Sequence, residues 1–171
     1  MDQTETPLRV VCDAGPLIHL DELGCLDLLS DFGDVLVPSV VWAEVQRHRP
    51  TALQHLQIRF MEVVPHTPMP IDLDAVARVF SLHEGERQAL HVTLEQNPDL
   101  LVTDDTAARL AARSFAITVH GTIGILLRSI RRRYRTAPEV AAILRSLPAL
   151  STLHVKPSLL DEIVEAVERL S

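Results

Sequence analysis

The chain is poor in cysteine, has no long apolar run and carries no overall basic excess, and each shortage narrows what it can be. Two cysteines in 171 residues, Cys12 and Cys25, cannot build a disulfide framework. Cys12 falls inside an apolar run that reads as a strand, so both are expected to be buried thiols in a reducing compartment. No apolar stretch is long enough to span a bilayer. The opening from Met1 to Pro7 is polar, carries two acids and does not resemble a signal peptide. A cytoplasmic protein with no membrane partner is the expectation. Eight histidines are present, but none stands in His-Glu-x-x-His or comparable ligand spacing. Gly121-Thr122-Ile123-Gly124 lacks the lysine and the spacing of a phosphate-binding loop. There is no internal repeat and no low-complexity segment. The net charge of −7 argues against nucleic-acid binding by the surface as a whole.

What is present is enough apolar residue, 47%, and enough length to bury the core of one domain over residues 1–171. Charge is unevenly spread. Residues 1–127 carry 18 acids and eight bases, whereas residues 128–135, Arg-Ser-Ile-Arg-Arg-Arg-Tyr-Arg, hold five arginines and no acid. Arg128, Arg131, Arg132, Arg133 and Arg135 could grip a phosphate backbone in bidentate geometry, with Tyr134 stacking on a base. The plainer reading is a solvated helix end whose cations complement the helix dipole. Arg87, Arg109 and Arg113 lie nearer the acids discussed next, and either position a phosphate or pair with carboxylates.

Strand-like and helix-like patterns alternate. Strands are expected at 8–12, 34–37, 61–64, 100–103 and 116–119. Helices are expected at 16–23, 25–32, 38–48, 52–60, 72–80, 85–96 and 106–114, from Gly121 into the arginines, and at 138–147 and 157–170. Such alternation implies an α/β fold with a mainly parallel sheet covered on both faces. Four acids fall at the edges of these elements: Asp13, Glu44, Glu86 and Asp104. Asp13 and Asp104 each close an apolar run, at the carboxyl edge where open α/β sheets place their sites. A strand-end Asp also serves as a helix cap, and Asp105 competes with Asp104 for that role. Glu86 would lie in the first turn of a helix, where an acid meets the dipole favourably. Were all four to converge, like charge would keep some protonated unless a hard divalent cation joined them.

Taken in order, these segments resemble the PIN-domain family of metal-dependent nucleases. Val10-Val11-Cys12-Asp13-Ala14-Gly15-Pro16-Leu17-Ile18 is similar to its first strand and aspartate. Val37-Pro38-Ser39-Val40-Val41-Trp42-Ala43-Glu44-Val45 is similar to its second acidic motif, and Leu101-Val102-Thr103-Asp104-Asp105 to its strand-end aspartates. Glu84-Gly85-Glu86-Arg87-Gln88-Ala89-Leu90 and Gly121-Thr122-Ile123-Gly124-Ile125-Leu126 resemble a less characterised PIN-like subgroup. The resemblance covers about residues 8–135, with a helical extension over 136–171.

The resemblance implies a three-layer α/β/α fold with a mainly parallel central sheet. It implies Mg²⁺ or Mn²⁺ held by Asp13, Glu44, Glu86, Asp104 and Asp105, and hydrolysis of RNA phosphodiesters, often by the toxin of a toxin–antitoxin pair. Arg109 and the arginines of 128–135 would then touch RNA. Two departures stand out. Ala14-Gly15 offers no hydroxyl after the first aspartate, and Glu86 stands where a helical Asp is common. The rival expectation is a catalytically impaired PIN-like module that binds RNA or a protein partner. The amphipathic stretch from Leu159 to Leu170 packs on its own domain or forms a homodimer or antitoxin interface; a homodimer is expected.

Overall fold

The computed structural model describes residues 6–170, so most of the polar opening lies outside the described residues. Five parallel strands form the centre: β1 (Arg9–Cys12), β2 (Asp34–Pro38), β3 (Phe60–Val63), β4 (Leu100–Val102) and β5 (Val119–His120). Their order across the sheet is β3-β2-β1-β4-β5. The chain winds outward from β1 to β3, then crosses back to lay β4 on the other side of β1. Val10 pairs with Val35 on one flank and Leu100 on the other. This reversal opens a crevice at the carboxyl ends of β1 and β4, the usual ligand site in open parallel sheets.

Alternation along each strand divides the core in two. Val10, Cys12, Val35, Val37, Leu100 and Val102 point to one face. Val11, Leu36 and Leu101 point to the other. The first face is covered by α1 (Ala14–Glu22), α2 (Ser39–His48), α6 (Thr122–Arg131), α7 (Ala137–Leu150) and α8 (Pro157–Glu168), and the second by α3 (Ile71–Val79), α4 (Glu84–Gln96) and α5 (Thr106–Ser114). The architecture is the expected three-layer α/β/α fold. Leu144, Leu147, Leu160 and Val167 are buried in the first layer, so the terminal pair packs on the body of the chain. Both cysteines are buried and free, and burial holds the Cys12 thiol protonated, helped by Asp13 and Asp104. No helix among the described residues is long and apolar enough to cross a membrane.

Three elements differ from the sequence expectation. Residues 25–32 make a 3₁₀ turn over Leu26–Asp31 rather than an α-helix. Residues 52–60 contain only the 3₁₀ turn Ala52–Gln54 before β3 begins. A helix there would group Ala52, Leu53 and Leu56 on one face, yet Leu56 is fully exposed while Ile58 is buried. The last strand is Val119–His120 rather than 116–119, because Ala116 takes a left-handed φ of 56° in the turn that ends α5.

The helical segment 84–88 fixes α2 against α4. The Gln88 side-chain carbonyl accepts from the Val40 N–H at 2.9 Å and the Ser39 hydroxyl at 3.3 Å. Pro38, at the N-cap of α2, has no side chain able to do this. Replacing Gln88 with Ala leaves the Val40 N–H without its acceptor and should cost about 1 kcal/mol. Gln88→Glu, which keeps an acceptor, should lose less. Urea denaturation of the two variants checks this; equal losses would show that the acceptor is not what matters.

Candidate metal centre

Asp13 is placed by the sheet. Its N–H donates to Val102 O at 2.9 Å, continuing the β1–β4 ladder one residue past β1. Its carboxylate, 7% exposed, accepts from the Ala14 N–H at Oδ1 (2.9 Å) and from the Thr103 hydroxyl at Oδ2 (2.9 Å). It is therefore both the N-cap of α1 and a wall of the crevice. Ala14-Gly15 offer Asp13 no hydroxyl; the one that reaches it comes from Thr103, at the end of the neighbouring strand. No sequence pattern near residue 13 signals that donor.

Glu44 reaches the crevice from α2 and Glu86 from α4. α4 comes close to both Glu44 and Asp13 at Gly85: a Cβ there would be in ordinary van der Waals contact, 3.5 Å from Glu44 Oε2, 3.6 Å from Val41 Cγ2 and 3.9 Å from Asp13 Oδ1. Glu86 also serves its own helix, since its Oε2 accepts from the His83 N–H at 2.8 Å. The adjacent Arg87 turns away to Asp74, 2.7 Å distant.

Asp104 follows β4 and is held more tightly than the sequence suggests. Its Oδ1 accepts from the Thr122 N–H at 2.7 Å, and its Oδ2 meets the Thr122 hydroxyl at 2.6 Å and His19 Nδ1 at 2.8 Å. Gly121 makes this possible, because a Cβ there would sit 2.6 Å from Asp104 Oδ1. His19 and Thr122 were not among the candidate residues; they lie 85 and 18 residues from Asp104 in sequence. Asp105 takes the capping role instead, accepting from the Ala108 N–H at 2.7 Å, although it too borders the crevice.

Asp13, Glu44, Glu86, Asp104 and Asp105 thus line one cavity of about 420 Å³. Burial pushes the Asp13 pKa up to about 6, and the negative charges of Glu86 and Glu44 add to that, against the hydrogen bonds from Ala14 and Thr103. A buried carboxylate raised by like charge, among other hard oxygen donors, fits Mg²⁺ or Mn²⁺ in chemistry. Among the described residues, no three His, Cys, Asp or Glu side chains already stand as a metal cage. The carboxylates would have to close on the ion.

The arginines divide. Arg109 borders the Asp104 end of the crevice, its Nη1 3.2 Å from where a Gly121 Cβ would be. The segment 128–135 does not border it, although Arg131 and Arg128 are near enough to His120 to add to burial in lowering its pKa. α6 starts at Thr122 beside Asp104 and runs away, so Arg131 is about 14 Å further along its axis. There Arg128 meets Asp31 at 2.7 Å and lies over the Phe32 ring, 5.1 Å from its centre. Arg132 meets Asp31 at 3.1 Å and Arg135 meets Asp27 at 2.7 Å. These side chains fasten α6 to the 3₁₀ turn, while Arg131 and Arg133 are exposed.

The raised Asp13 value has a consequence for stability. The unfolded chain, with an ordinary value near 3.8, releases this proton before the fold does. The fold therefore carries no penalty below about pH 4, loses stability as pH rises toward 6, and carries the whole penalty, about 3 kcal/mol, above it. In chelator, Asp13→Asn should be more stable than the parent at pH 7.5 by up to that amount, with the gap closing by pH 4. Urea unfolding across this range measures it, and a variant weaker than the parent at pH 7.5 would remove the burial account.

Comparison with known proteins places this arrangement. No protein of curated function matches the chain. A solved PilT N-terminus domain protein from the hyperthermophilic archaeon Sulfolobus solfataricus is similar in fold, with a TM-score of 0.52 at 15% identity, over 72% of this chain and 94% of that one. The model of the family DUF3368, described as a PIN domain, matches residues 9–169. With the parallel sheet and the acids at its carboxyl edge, that match over nearly the whole chain shows that it belongs to the PIN-domain family.

Proposed function

We propose that the protein is a metal-dependent endoribonuclease that hydrolyses RNA phosphodiester bonds at this carboxylate crevice. The observation that carries the reading is the buried Asp13, held among Glu44, Glu86 and Asp104 where β1 and β4 part. Asp13 and Glu44 would hold the ion, since each Asp13 oxygen accepts only one hydrogen bond and retains a lone pair. Glu86 and Asp104 would complete the set directly or through water. A bound Mg²⁺ or Mn²⁺ would activate water and offset charge on the phosphodiester at neutral pH. Thr103 and Thr122 fix the two strand-end aspartates, and Arg109 faces the side from which a phosphate would enter.

The family resemblance also supports a toxin role, countered by an antitoxin protein. Leu170 remains largely exposed just beyond α8, which supports an antitoxin or homodimer contact there.

One observation favours a second reading, a PIN-like module that binds RNA or protein without cutting. Asp104 already takes three hydrogen bonds, so its Oδ2 is filled and only Oδ1 keeps a lone pair for a metal, one fewer than Asp13 has. Fluorophore-labelled single-stranded RNA incubated with protein and Mn²⁺ or Mg²⁺ separates the two. Cleavage should cease in chelator and fall at least about a hundredfold in Asp13→Asn and Glu44→Gln. Undiminished cleavage by Asp13→Asn would end the nuclease assignment. RNA binding that persists in chelator, with no cleavage under any divalent ion, would establish the module instead.

A further inference from the structure

A second cavity, of about 570 Å³, opens beside the carboxylates and shares Asp104, Leu153 and His154 with theirs. Its walls come from α5, the β5–α6 junction and the extended segment 151–156 that links α7 to α8. Arg109 enters from α5, His120 from β5, and His154 and Lys156 from the link. Lys156 is the only lysine in the chain.

We propose that this cavity seats the backbone of single-stranded RNA next to the bond to be cut, with Arg109 and Lys156 as its phosphate contacts. The C-terminal link is then part of the substrate site. The proposal rests on the nuclease reading for what happens at the neighbouring carboxylates, but the contact itself does not require cleavage.

Four features carry it. In a chain with more acids than bases, nine arginines pair with carboxylates, yet among the described residues neither Arg109 nor Lys156 does. Asp104 is the one acid bordering the cavity among the described residues, and Thr122 and His19 already occupy it. Lys156 is the N-cap of α8, whose first turn holds no acid. A cation at the positive end of a helix is unfavourable alone, and an anion arriving between them relieves it. The link is also held in place: Glu22 accepts from the Ser151 hydroxyl at 2.9 Å, the Thr152 N–H at 2.7 Å and the Thr152 hydroxyl at 3.0 Å. Lys156 is therefore presented on a fixed segment rather than a loose tail.

The neighbours suit a nucleotide strand. Burial, then Arg131, Arg128 and Arg109, lower the His120 pKa, so its ring is neutral and hydrogen-bonds without adding charge. Leu159 and Ile163 supply apolar surface for a sugar or base face.

The test is binding of a fluorescent single-stranded RNA to the full chain in chelator, followed by anisotropy at several salt concentrations. Lys156→Glu should weaken binding about tenfold and lower the salt slope by about one, and Lys156→Arg should restore both. Arg109→Ala should weaken it severalfold. In parallel, RNA should shield Lys156 from an amine-acetylating reagent, read by mass spectrometry with the N-terminal amine as the internal control. Lys156→Glu binding as well as the parent, an unshielded Lys156, or no RNA binding by the parent would each overturn the proposal. Lys156-dependent binding without cleavage under any divalent ion would uphold it while removing the nuclease reading, so the two fail separately.

Discussion

A carboxylate that is only 7% exposed has lost most of its hydration, and the centre of this fold is arranged around that loss at Asp13. Three pieces of chain meet on the residue. Its N–H extends the β1–β4 ladder, its Oδ1 receives the first N–H of α1, and its Oδ2 receives the Thr103 hydroxyl from beyond β4. These bonds recover part of what burial takes, but not all, since the pKa still stands near 6. The remainder is an unmet demand for positive charge at the carboxyl edge of the sheet. Among the described residues no cationic side chain pairs with Asp13; the charges named beside it, Glu86 and Glu44, are of the same sign. A fold that buries an acid and surrounds it with acids is less stable alone than with a cation bound.

The segment Glu84-Gly85-Glu86-Arg87-Gln88 shows how closely that demand is built into the packing. Gly85 lies within van der Waals range of Glu44 and Asp13, Glu86 closes its own helix start, Arg87 ties to Asp74, and Gln88 caps α2. Four successive residues thus tie down the start of α4, and Gln88 joins it to α2, the two helices that bring glutamates to the crevice. Glu86 is the longer acid where a helical Asp is common, and its capping bond to the His83 N–H directs the extra length back toward its own helix. Reach and direction offset each other, so side-chain length alone does not decide whether the residue serves the site.

Much of this was legible in the sequence where the signal is local. β1, β2 and β4 show as short apolar runs buried on both faces, and the acids that end or follow them show as edge residues. The family resemblance implied a mainly parallel sheet, but neither register nor strand order could be read from pattern. What stayed hidden acts across the chain. Thr103 and Asp13 are 90 residues apart, His19 and Asp104 are 85 apart, and Gln88 and Val40 are 48 apart. Each side chain looks ordinary in its own window, because a threonine at a strand end or a histidine in a helix has many uses. The fifth strand was misplaced for a related reason. Ala116 adopts a left-handed turn without the glycine that usually announces one.

Charge gives the sharpest case of a local count misleading about place. Five arginines in eight residues look like a grip for phosphate, yet Asp27 and Asp31 take three of them at the edge of the sheet remote from the acids. The basic cluster serves largely to hold α6 down. Near the crevice the surface is acidic, and an approaching polyanion is repelled by the residues that would cut it. Arg109 and Lys156 counter that repulsion on one side only, which would give a strand a preferred direction of entry. A cation among the carboxylates would counter it at the centre. Ion and strand would then favour each other's binding by the same factor, because coupling between two ligands is reciprocal.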